Sequence, residues 1–170
     1  MEKLVELEIL GLSSNNTQSG SFTLVMGEVE GLRRLPIVIG MFEAQAIAIE
    51  IEKIIPNRPM THDLFKSFSD SFQFGIEKIV ISEMKEGVFY AKIHSKGETA
   101  LAEIDSRPSD AIAIAVRFGA AIFCSEKVLS EAGIEFSEED KKEEAKKPSK
   151  SVASKSTTQK ENLLKDFSLD

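Results

Sequence analysis

The sequence predicts an α+β domain made of two strand–strand–strand–helix units. They would share one mixed, largely antiparallel sheet or a barrel-like core with packed helices. Three observations lead there. Strand-like patterning fills three segments before the first helical pattern and three more before a later one. The run "AIAI" occurs at Ala46–Ile49 and again at Ala111–Ile114, 65 residues further on. At that same offset Phe22–Val29 falls on Gly87–His94, and Leu35–Ile39 falls on Ala100–Ile104. This pattern reads as an internal duplication. Two repeats are too few for a solenoid, so both halves should pack around one core.

The elements follow in order. "KLVELEILGL" sets Leu4, Leu7 and Ile9 against Glu6 and Glu8, the alternation of a half-buried strand. "SSNNTQSGS" is turn-rich by composition. "FTLVMGEV" and "RRLPIVIG" read as two strands of a hairpin, with Pro36 placing the second at an edge or a bulge. "MFEAQAIAIEIEKII" turns to helical period, with Ala44, Ile47, Ala48, Ile51 and Ile55 on one face and Pro56 as its stop. "THDLFKSFSDSFQFG" is a second helix, with Thr61 as N-cap, Phe65, Phe68 and Phe72 at helical spacing, and Gly75 as its end.

The pattern then restarts. "IEKIVISEM", "GVFYAKIHS" and "ETALAEID" are three strands, the first two joined at Lys85–Glu86–Gly87. "PSDAIAIAVRF" is a helix stopped by Gly119. Pro108 suits its first position, and Ser106 or Ser109 would cap it. Arg117 is its only interruption, so this should be the most buried helix. "AAIFCS" reads as a buried strand carrying the single cysteine, Cys124, which excludes an internal disulfide and a Cys-rich zinc site. A short helix capped by Ser125 and ended by Gly133 closes the domain, expected over residues 1–136. Residues 137–170 are rich in Lys, Glu and Ser and read as a charged tail. Leu163, Leu164, Phe167 and Leu169 form a short candidate docking segment over 161–170 for a protein partner.

Charge narrows the function. The net charge is −7, all of it in Met1–Phe136, where 13 Lys and Arg face 20 Asp and Glu. A surface coated in positive charge for nucleic acid is therefore excluded, and any such contact must be local. No apolar run approaches the ~20 residues of a membrane span. The opening "MEKLVELEIL" lacks the apolar stretch of a signal peptide, so a cytoplasmic location is expected, with no membrane partner. Walker A, GxSxG and HExxH patterns are absent. His94, alone on a strand, reads as a surface residue.

Charge does gather at two helix starts. "SRPSD" gives Arg107 and Asp110, with Asp105 just ahead; "NRPMTHD" gives Arg58, His62 and Asp63. Helix N-termini bind anions, and an arginine fork suits phosphate. Carboxylates nearby suit a divalent ion, since Mg²⁺ takes one or two of them plus phosphate oxygens and water. Histidine moves protons near neutral pH. The bland account stands beside this one: acids in a first turn complement the helix dipole, and Arg107 could simply pair with Asp105 or Asp110.

Three segments, "LPIVIGMFEAQAI", "RPMTHDL" and "IDSRPSDAIAIAVR", together resemble the bacterial and plant bifunctional nuclease family over about Met1 to Gly133. The resemblance implies a compact α+β domain acting on both DNA and RNA. The matching positions are Glu43, Arg58, Pro59, Thr61, His62, Asp63, Asp105, Arg107, Pro108, Ser109 and Asp110. Many bacterial relatives continue into a helical partner-binding motif, a pattern the Ser- and Lys-rich tail here does not show.

The expectation is thus a metal-assisted nuclease hydrolysing phosphodiester bonds in DNA and RNA. Asp63, Asp105 and Asp110, with Glu43 in reserve, would hold Mg²⁺ or Mn²⁺; Arg58 and Arg107 would grip phosphate; His62 would move a proton. A homo-oligomer is compatible with this. Two rivals share the residues: a non-enzymatic module binding a ligand or partner at the same charged mouth, and a structural pin between the two halves. An enzyme needs an open site reaching solvent, whereas a pin buries its arginines.

Overall fold

The computed structural model describes residues 3–14, 20–97 and 101–136. The charged tail and the docking segment at 161–170 lie outside the described residues. The elements run β1 (Leu4–Ser14), β2 (Ser21–Glu28), β3 (Arg33–Gly40), α1 (Met41–Ile51), α2 (Thr61–Ser71), β4 (Gly75–Lys85), β5 (Val88–Lys96), β6 (Leu101–Ser106), α3 (Pro108–Phe118), β7 (Ala121–Ser125), α4 (Glu126–Ala132) and β8 (Ile134–Glu135).

All eight strands form one sheet in the order β6-β5-β4-β7-β1-β2-β3-β8. Every pairing is antiparallel except β4 with β7. The sheet is mixed and open, not a closed barrel. It curls nonetheless: α4 touches β3 on one arm and β4 on the other. The triplets β1–β2–β3 and β4–β5–β6 occupy opposite arms in mirrored order, with β7 between them. This symmetry belongs to the topology and does not by itself make the arms copies of one unit.

Local chemistry explains the boundaries. The β4–β5 hairpin turns on two residues, Glu86 and Gly87, both with positive φ (52° and 78°), the backbone that matches strand twist. β3 carries Pro36, which pairs with Val25 of β2; β8 covers only Arg33 and Arg34, so the outer edge of β3 at Pro36 has no strand partner among the described residues. α1 ends at Ile51, short of the expected Ile55, which is 92% exposed. Lys53 takes the left-handed conformation there, and the amide of Ile54 donates back to the carbonyl of Ile49 at 3.0 Å. Pro56 is therefore not the stop. α2 closes in the same way, with Gln73 left-handed and Phe74 N–H donating to Ser69 at 3.2 Å, so Gly75 begins β4 instead of ending the helix.

The helix starts also differ from expectation. Thr61 is the first residue of α2, not its cap, and the Asp63 carboxylate accepts the Met60 amide at 2.9 Å. Neither Ser106 nor Ser109 caps α3. Its cap position is Arg107, without a side-chain cap, and Pro108 follows as expected. Ser125 does cap α4, accepting from Val128 N–H at 3.3 Å.

The helical layer packs α1 on α3 and α2 on α3. Ala111, Ala113 and Ala115 are fully buried, and small side chains there let the helices approach closely. Ile47 of α1 and Ile112 of α3 fill the space against Leu24, Leu35, Ile79 and Ile81 of the sheet. α3 is the most buried helix, as its pattern implied. Cys124 is a buried free thiol. Among the described residues, no helix is long and apolar enough to cross a membrane.

Candidate functional site

Three helices begin close together, and each places an acid at the third position of its first turn: Glu43 in α1, Asp63 in α2 and Asp110 in α3. The three acids have different partners. Asp63 serves its own helix, through the Met60 amide, and reaches Arg117 at 2.6 Å. Glu43 and Asp110 both turn to Arg107. Its Nη1 donates to Glu43 at 2.9 Å, while Nε and Nη2 grip Asp110 at 2.7 and 3.1 Å. His62 Nε2 stands 3.4 Å from Asp110 Oδ1, so a chain of polar contacts runs Glu43–Arg107–Asp110–His62. The Asp110 carboxylate, with Glu43 behind it, raises the Arg107 guanidinium further above its usual range.

This cluster is open. The Arg107 side chain is 66% exposed. It forms, with Glu43, a ridge between two clefts. A cleft of about 390 Å³ is lined by Phe42, Gln45, Met60, Thr61, His62 and Asp110 beside the ridge. A second, of about 380 Å³, lies between the arms of the curled sheet, with Pro36–Gly40 of β3 on one side and Gly87–Phe89 at the β4–β5 turn on the other. Gly40 makes the ridge compact: a Cβ at that position would overlap the Glu43 carboxylate.

The remaining candidates stand apart. Asp63, itself half-buried, belongs to a junction built around the buried Arg117. The Arg117 side chain is 3% exposed, and it also donates to the carbonyls of Ala46 at 3.1 Å and Ala113 at 2.9 Å, tying α1, α2 and α3 together. Burial raises the Asp63 carboxyl, but the Arg117 and Met60 hydrogen bonds and the Arg117 charge outweigh it, and the net shift is downward. Asp105 is exposed on β6 and lines neither cleft. Arg58 is exposed in the loop leading to α2 and also lines neither. The four acids do not assemble: no group of three or more His, Cys, Asp or Glu side chains among the described residues is arranged to hold a metal ion. Two residues had no role in the sequence reading. Arg117 was visible as the one basic residue of a largely apolar helix. Phe42, 60% exposed at the cleft, was hidden in a helical pattern where aromatics usually mean core.

A family model, the bifunctional nuclease domain, matches residues 24–137, a span that includes both clefts and the whole polar chain. The protein belongs to that family. Two proteins of Mycobacterium tuberculosis, from different strains and both described as uncharacterized, are each 35% identical to it over 138 residues, covering 81% of this chain and 82% of theirs.

Proposed function

We propose that the Glu43–Arg107–Asp110–His62 cluster is the catalytic centre of a nuclease that hydrolyses phosphodiester bonds in DNA and RNA. Membership of the bifunctional nuclease domain family supports the reaction class. One observation supports this location: Arg107, the best phosphate ligand of the cluster, is exposed on a ridge between two clefts, with a histidine–carboxylate pair beside it.

DNA lacks a 2′-hydroxyl, so an activity common to both substrates uses water as nucleophile. Asp110 holds His62 by Nε2, which leaves Nδ1 to exchange a proton with water. Nδ1 takes one proton of the attacking water as the water oxygen bonds to phosphorus; the opposite P–O ester bond breaks, the leaving oxygen takes its proton from solvent, and His62 then returns the water's proton to solvent. Arg107 offers its fork to the oxygens on which negative charge builds. Glu43 fixes the direction of that fork. As placed, Glu43 and Asp110 turn to Arg107 and Asp63 turns to Arg117, so the reading assigns this step to His62 and Arg107 and leaves an ion requirement to the assay.

His62→Ala tests the reading. Cleavage of DNA and of RNA should both fall about 100-fold or more, the usual range for a lost acid–base group. Assays in EDTA and in Mg²⁺ or Mn²⁺ measure the ion requirement separately. Parental activity in His62→Ala removes the proposed role. A rigorously purified parent with no activity moves the cluster to the ligand-binding reading.

A further inference from the structure

The two clefts are separated only by the Glu43–Arg107 ridge, and Arg107 lines both. Each therefore starts at the proposed phosphate position. Their walls also resemble one another. The first presents Phe42, 60% exposed at the lip. The second presents Val38, 60% exposed, and Val88, 57% exposed, with Pro36 and Phe89. Large apolar side chains left in water beside a charged ridge suggest a flat apolar ligand on each side. The tip carrying Val88 is set by the two-residue turn at Glu86–Gly87. On the facing wall, the outer edge of β3 beyond Arg34 has no strand partner among the described residues, so the groove is not filled by the sheet itself.

We infer that the clefts are two base-binding subsites of one single-strand channel. A phosphate rests on Arg107, the base on one side stacks on Phe42, and the base on the other packs between Val38 and Val88. The inference rests on the nuclease reading and adds what that reading leaves open: which part of the substrate is recognised, and by which residues. The faces of a paired base are covered by its neighbours in a duplex, so these subsites select unpaired nucleotides. Every base has an apolar face, so the channel is tolerant of sequence, and the acidic surface outside it adds no affinity for a duplex backbone.

The test compares a single-stranded DNA oligonucleotide with its abasic counterpart, in which tetrahydrofuran units replace the nucleosides, and with the matching duplex. Stacking of one base on an aromatic side chain changes affinity by roughly tenfold. The parent should therefore prefer the base-bearing strand over the abasic one by roughly 100-fold in kcat/KM, and over the duplex by at least tenfold. Phe42→Ala should cut the preference for bases about tenfold, and Phe42→Tyr should restore it. Val88→Gln, which puts a longer polar chain into the second cleft, should cut it by a similar factor. A parent that cleaves base-bearing and abasic strands equally well overturns the subsites and leaves the nuclease reading intact. So does a Phe42→Ala protein with parental preference. A pure parent that cleaves none of the three substrates overturns the nuclease reading itself.

Discussion

Arg107 and Arg117 sit at the two ends of α3, and each meets an acid at the third position of a neighbouring helix, Glu43 for one and Asp63 for the other. The difference is water. Arg107 is 66% exposed and Arg117 3%. Removing water makes a charge pair compulsory, since a buried ion that loses its partner costs several kcal/mol, whereas an exposed one is solvated again. Arg117 therefore behaves as architecture, holding three helices through one carboxylate and two carbonyls, with its buried Nη2 lacking an acceptor among the described residues. Arg107 keeps most of its side chain in solvent, which under the proposed function would let it exchange its carboxylates for a phosphate. The sequence offered a catalytic cluster and a structural pin as rivals for one set of residues. The structure has a buried pin at one end of α3, built on Arg117 and not on Arg107 or Arg58, and at the other end an open polar cluster that the proposed function makes catalytic.

The largest expected effect lies at the buried end. Asp63→Asn keeps the side-chain shape but strands the buried Arg117 guanidinium, and should lower stability by about 3–5 kcal/mol. Urea unfolding measures it. A loss below ~1 kcal/mol would show that water reaches Arg117, and the contrast with Arg107 would collapse. Acid should weaken the same pin. The folded-state value of Asp63 is lowered from 3.8, so its stabilisation is complete above that pH and is lost as pH falls through the lowered value. Asp63→Asn should flatten that acid limb.

Asp110→Asn probes the open end with the chemistry reversed. Arg107 is mostly in solvent, so losing the charge of Asp110 should change stability by no more than about 1 kcal/mol. Cleavage should fall at least tenfold, because Asp110 both orients His62 and aims Arg107. A melt beside a cleavage assay decides. A strongly destabilised mutant would make Asp110 a second pin, and a stable one with parental activity would sink its assigned role.

The sequence carried the open end better than the buried one, for physical reasons. Strand alternation, Pro108 at a helix start and Gly119 at a helix end are local signals, and the structure has all three where the residues put them. Lys53 and Gln73 close α1 and α2 in a conformation that glycine usually takes, so no composition cue marked those ends. Asp63 and Asp110 look alike in sequence, each an acid just after an Arg-Pro pair. Which of them faces a cleft depends on how α2 crosses α3, a tertiary fact. Glu43 reaches Arg107 across 64 positions of chain, and no spacing rule links them. The parallel pairing of β4 with β7 was likewise outside local reach, and it is what sets the two arms apart.

The smallest effect would sharpen the comparison most. Gly40 caps α1 with an ordinary extended backbone, φ −75°, so alanine is tolerated there conformationally. Its Cβ would overlap the Glu43 carboxylate, which is the mobile end of a flexible chain and can swing away. Gly40→Ala should thus detach Glu43 from Arg107 while leaving both bonds to Asp110. An exposed pair of this kind is worth about 0.5 kcal/mol, or roughly two- to threefold in kcat/KM. Alanine is a poorer helix cap than glycine, so stability should drop by at most about 1 kcal/mol. The informative comparison is with Glu43→Ala, which removes the same contact from the other side. If Gly40 acts only through Glu43, the two losses in activity should not add, and the double mutant should match Glu43→Ala alone. Additive losses would mean that the cap shapes the ridge by a route that does not pass through Glu43.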